Sequence, residues 1–242
     1  MRSATFRKLL AKRARHSREL ELESGDPGPL PVTKVSGVPW WPRGRRRPRC
    51  RLRHPMSFVL QVGGPDIDHR LMRESLVSFH YCQECALLGR MAWGWRDDQR
   101  SGYDVSVFNV FENRPDGLGL VAQPMFAPSK GTVARRLEVP LPEDAGIRWE
   151  QLPEDYPAGA DDFDERIYPG VIHVPRSKIG GWPTWVQSPA WPPGGKSRWH
   201  FLGQLDSRIG TAATWAAGGY AYLFFRKDEA GEWEGELSIQ TT

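Results

Sequence analysis

Three blocks of this chain occur twice, in the same order. Thr33-Lys-Val-Ser-Gly-Val-Pro-Trp-Trp41 returns as Ser177-Lys-Ile-Gly-Gly-Trp-Pro-Thr-Trp185. Phe58-Val-Leu-Gln-Val62 returns as Phe201-Leu-Gly-Gln-Leu205, and Leu76-Val-Ser-Phe-His-Tyr81 as Tyr220-Ala-Tyr-Leu-Phe-Phe225. A period this long excludes a solenoid of short repeats. It predicts a duplicated unit, with two similar lobes packed about a pseudo-twofold axis.

The elements in and around the blocks read as strands, so the predicted fold is mainly β with short helices. Met56 to Val62 is a short apolar run bounded by turn residues, as in a buried strand. Val77, Phe79 and Tyr81 alternate with Ser78 and His80, which predicts a half-exposed strand pairing antiparallel with the first. Tyr103 to Phe111, Thr132 to Val139 and Trp233 to Ile239 give further strands. Residues 1–31 read as a basic helix over the first 20 residues, followed by a Gly- and Pro-rich linker. Residues 32–95 and 171–242 form the two lobes, and residues 96–170 connect them through an acidic loop near Asp155 to Glu165.

With 242 residues and eleven tryptophans, the chain has ample apolar area for a core. No run approaches the roughly 18 apolar residues of a membrane span, and no apolar leader opens the chain. Three cysteines fit a reducing compartment, so the cytoplasm is the expected location. Charge is unevenly spread. Lys34 to His54 holds eight Lys or Arg residues and no acid, whereas Glu138 to Arg166 holds ten acids against two bases. These stretches can neutralise each other or attract different partners.

Four sets of residues are candidates for function. In the repeated Lys-x-x-Gly-x-Pro-x-Trp, glycine allows positive φ and proline fixes the exit. Trp41, Trp182 and Trp185 then cap the cores or line an aromatic groove for an extended peptide. Gln61 and Gln204 lie inside apolar strands; a buried amide needs partners, either the chain's own backbone or a bound main chain. Cys50 and His54 precede the first long strand of lobe one, and Cys82 and Cys85 follow the second. Antiparallel pairing would bring these four together as a closed zinc site, with His80 as the alternative fourth ligand to His54, or leave plain reduced thiols. Arg45, Arg46 and Arg47 belong to an arginine run suited to RNA or to a solvated loop. No hydrolase elbow, zinc-protease, phosphate-loop or dinucleotide motif occurs, so a non-catalytic protein is expected.

The duplicated blocks, with Cys82-Gln-Glu-Cys85 after the first pair of strands, resemble the YwqG-like family of bacterial proteins. That family looks related to the programmed-cell-death-two and ribosome-assembly proteins. The resemblance implies a two-lobed β fold and a binding or chaperone-like role toward a protein client. An RNA- or ribosome-associated role is the alternative expectation. Relatives often carry two cysteine pairs in the first lobe; here the first pair is Cys50 with His54 nearby.

Overall fold

The structure is a computed structural model. It describes residues 3–24, 30–50, 52–67, 73–87, 103–109, 129–147, 149–153, 175–209 and 218–241. Among these are ten strands of one antiparallel sheet: β1 (Arg15–Ser24), β2 (Lys34–Val35), β3 (Ser57–Gly63), β4 (Ser75–Tyr81), β5 (Tyr103–Asn109), β6 (Ser129–Glu138), β7 (Lys178–Gly180), β8 (His200–Asp206), β9 (Tyr220–Lys227) and β10 (Trp233–Gln240). Three short helices accompany them: α1 (Ser3–Ala11), α2 (Gln83–Leu87) and α3 (Pro142–Ala145). No helix among the described residues is long and apolar enough to cross a membrane.

The strand order is β10-β9-β8-β7-β1-β6-β2-β3-β4-β5. It is unchanged when β1 to β5 are exchanged with β6 to β10. Register shows the same symmetry. Lys34 faces Gln61 as Lys178 faces Gln204. Each β3–β4 or β8–β9 ladder shifts register at the matching place, between Phe58 and Leu60 and between Phe201 and Gly203. Glu19 sits opposite Lys178, and Lys130 opposite Lys34. The pseudo-twofold axis therefore passes through the central Glu21–Thr132 pair.

The lobes are not self-contained. β1 pairs with β7 of the second half, and β6 with β2 of the first. Each half thus gives its opening strand to the other. The basic helix expected at the N-terminus stops at Ala11, and Arg15–Ser24 is a central strand rather than helix and linker. Its ten ladder positions against β6 outweigh a sequence rich in Glu, which is depleted in strands. The basic helix is also docked: Phe6 and Leu10 are fully buried against Val139, Ala145 and Ile147.

The sheet curls until its two outer strands meet. Tyr103 Oη donates to Glu236 Oε1 at 2.5 Å. A methyl group on Gly235 would lie 2.3 Å from Val105 Cγ1, so β10 can approach β5 only because Gly235 has no side chain. Inside the curl, Val62, Phe79 and Tyr81 share one core with Leu205, Leu223, Phe225 and Leu20.

β4 is buried along its whole length, unlike the half-exposed strand expected. The cause is the repeated loop, which folds back over the outer face. Residues 36 and 37 both have positive φ (59° and 76°), as do residues 180 and 181 (72° and 71°), which turns the chain sharply after β2 and β7. Trp41 then lies edge-on to His80, with ring centres 5.1 Å apart. At the matching place, Trp185 covers Tyr222 at 4.6 Å and stacks on Phe224.

Candidate metal centre and binding surfaces

Ser57 pairs with Tyr81 at one end of the β3–β4 ladder, so the chain entering β3 lies beside the chain leaving β4. Before β3, an Arg49–Pro55 bridge closes a tight hairpin in which Cys50 N donates to His54 O (3.0 Å) and Arg53 N to Cys50 O (2.7 Å). After β4, Cys82 and Cys85 flank the start of α2. The ligand atoms of Cys50, His54, Cys82 and Cys85 all lie within 4.8 Å of one another. Cys82 Sγ is 3.8 Å from His54 Nδ1. Tetrahedral zinc with bonds near 2.3 Å separates neighbouring ligand atoms by about 3.8 Å, so this spacing fits. His80, the other imidazole considered from sequence, packs against Trp41 and Phe58 instead.

The three thiols are free and buried. Burial pushes the Cys85 thiol up to about 12, and the neighbouring Cys82 and Cys50 add to the rise. Burial also raises Cys82. At Cys50 burial acts in the same direction, but hydrogen bonds from the His54 backbone and from Cys82 and Cys85 outweigh it, leaving that thiol below its usual value. Crowded buried thiols resist ionising together unless a cation compensates them. The second half carries no cysteine. Trp199 and Arg226 replace Met56 and Cys82 there, with the guanidinium 4.4 Å above the indole ring.

The two glutamines are interior. Gln61 Oε1 accepts from Trp40 N at 2.8 Å, and its Nε2 donates to the carbonyls of Leu30 and Val32, each at 2.6 Å. Gln204 Oε1 accepts from Thr184 N at 2.8 Å. Gln204 Nε2 has no partner among the described residues. Both amides pin the tryptophan loop of their own half. Trp41 and Trp182 are likewise buried, while Trp185 is half-buried. Trp182 Nε1 donates to Arg13 O, and Trp185 and Trp191 both donate to Asp144. The indole N–H groups of Trp182, Trp185 and Trp191 are thus satisfied within the chain.

Two acidic residues of the acidic stretch have specific work, which sequence patterning did not reveal. Glu138 Oε2 accepts from Lys178 Nζ at 2.6 Å and from Trp182 N at 3.0 Å. Asp144 holds the two indoles. The acidic loop read at Asp155 to Glu165 lies outside the described residues. On the first half, Arg45 and Arg46 are exposed, and Arg47 is half-buried with its guanidinium 5.0 Å over Trp41.

A cavity of about 200 Å³ opens where the halves meet. Ile67, in the turn after β3, forms one side; Phe201, Leu202 and Phe225 form the apolar wall. Arg15 and His200 stand at its rim, both exposed, beside Gly180 and Gly181. Arg15 lies 3.8 Å above the Trp182 ring, and His200 stacks on Phe225. No sequence signal marks this site, because it draws on residues from five separated segments.

A family model for a domain of unknown function (DUF1963) matches residues 33–233. No curated protein matches the chain.

Proposed function

Since the chain belongs to the DUF1963 family, we propose that it is a non-catalytic, YwqG-like protein-binding module of chaperone-like character. It takes an extended client segment at the seam between the halves. The observation that carries this reading is the cavity of about 200 Å³ bounded by Ile67, Phe201, Leu202 and Phe225. Its size suits one or two anchoring side chains, and small apolar pockets with a few polar groups at the mouth are how extended peptides are gripped. Arg15 and His200 at the rim can donate to the client's main-chain carbonyls.

Zinc held by Cys50, His54, Cys82 and Cys85 belongs to the same reading. Four protein ligands fill a tetrahedral ion and leave no position for substrate, so the ion would supply rigidity. It would fix the entry to β3 against the exit from β4, where the second half uses an arginine on a tryptophan.

Selection of a displayed random-peptide library on the purified protein tests the proposal. Enrichment of peptides with a bulky apolar anchor is expected, with loss of binding in Ile67→Trp, which fills the cavity. If selection yields nothing, or Ile67→Trp binds the same peptides while remaining folded, the seam is not the client site.

A further inference from the structure

We propose that the hairpin between β2 and β3 binds the phosphodiester backbone of single-stranded nucleic acid through Arg43, Arg46, Arg49 and Arg53. This surface is separate from the seam cavity and does not depend on client binding there.

All four arginines are exposed. The chain that carries them has almost no regular structure, yet it is fastened along its length. Arg45 N donates to Pro42 O at 3.2 Å, and Trp41 Nε1 to Arg45 O at 2.8 Å. Met56 N bonds Pro48 O at 3.1 Å, and the Arg49–Pro55 bridge closes the tip. Arg49 Nη1 donates to Arg53 O at 2.8 Å. A backbone held in place loses less entropy when its side chains engage a ligand. The charges are therefore displayed on a fixed support rather than on a floppy tail.

Sign and chemistry point to phosphate. No acidic residue occurs between Lys34 and Pro65. The described acids Glu138 and Asp144 serve Lys178, Trp182, Trp185 and Trp191 in the other half, and Asp104 feels the charge of Arg45, which is not one of the four. The basic side chains here are arginines, whose planar fork matches phosphate oxygens two at a time. Leu52, 48% exposed, is the one large apolar side chain exposed on the hairpin among the described residues. That is too little to insert into a bilayer, which argues for nucleic acid over a lipid surface. The matching loop of the second half carries Lys196 and Arg198 among prolines, and Lys196 is turned onto Asp144 O, so the arginine surface belongs to the first half alone.

Fluorescence anisotropy with a short labelled single-stranded RNA tests this. Four phosphate contacts predict a log–log salt slope of about −3, or roughly fifty-fold weaker binding between 50 and 200 mM salt. The quadruple variant Arg43→Gln, Arg46→Gln, Arg49→Gln, Arg53→Gln is expected to bind at least about tenfold more weakly with a slope near zero. A Lys8→Gln, Lys12→Gln variant, in α1 and the turn after it, should bind as the unmodified chain does. Arg46→Glu keeps the test readable if the quadruple variant fails to fold. Absent RNA binding, equal binding by the quadruple and Arg46→Glu variants, or equal loss in the lysine variant would overturn the proposal. So would tighter binding to phosphatidylglycerol vesicles or to polyglutamate than to RNA.

Discussion

Gln61 and Gln204 occupy the same place in the two halves, and each accepts a 2.8 Å hydrogen bond from the main-chain N–H six residues past the repeated lysine of its half (Lys34 or Lys178), at Trp40 and Thr184. Their other ends differ. Gln61 Nε2 reaches two carbonyls, whereas Gln204 Nε2 has no partner among the described residues.

That difference makes the two amides unequal in stability. Gln61→Leu removes three hydrogen bonds and strands a buried N–H, at a cost of about 2–4 kcal/mol. Gln204→Leu also relieves an unsatisfied donor and is expected to cost about 1–2 kcal/mol less. Urea denaturation of both variants measures this; equal costs would show that the two sites are equivalent after all.

Metal content should follow the cysteines. Purified protein is expected to carry a single zinc per chain, and cobalt substitution to give the charge-transfer bands of thiolate ligation. Cys82→Ser should lose the ion and lower the midpoint of thermal unfolding. Elemental analysis showing no metal in protein prepared without chelators would leave the cluster as reduced thiols.

His80 gives a pH dependence with a definite sign. Burial first, and then the Arg47 charge, pull its pKa from 6.5 down to about 3. The unfolded chain gains a proton below 6.5 that the folded chain refuses until about pH 3. Its contribution therefore erodes as pH falls through that window, by about 1.4 kcal/mol per pH unit. Phe224 fills the corresponding place in the second half. His80→Phe should flatten the fall in stability between pH 6.5 and 4, read from urea midpoints; an unchanged slope would place the titration elsewhere.

Glu138 compensates a buried lysine. Burial lowers the Lys178 pKa, and the Glu138 charge opposes that fall. Glu138→Gln leaves the ammonium without its counter-ion and is expected to cost about 3 kcal/mol. Adding Lys178→Met should recover most of this loss. A double variant as unstable as the single one would mean that Glu138 acts through Trp182 N instead.

Much of the fold was legible because the duplication repeats short, patterned blocks. Alternation and turn residues located β3, β4, β8, β9 and the Cys82–Cys85 turn, and antiparallel pairing correctly brought Cys50 and His54 beside them. The exchange of β1 and β6 was not legible. Arg15–Ser24 has the composition of a solvated segment, and its strand state comes from partners more than a hundred residues away. Nor could alternation reveal that Ser78 and His80 are covered, since the cover comes from Trp40 and Trp41 folding back. The glutamines read correctly as needing partners; which partners they find depends on a loop path that only coordinates supply.

Strand exchange is the feature on which the seam and its cavity depend. Cross-strand nuclear Overhauser contacts in labelled protein test it directly. The account predicts that Arg18 in β1 shows contacts to Ile179 on one side and to Arg135 on the other. Contacts from Arg18 to Val35 of its own half, or none to Ile179, would contradict it.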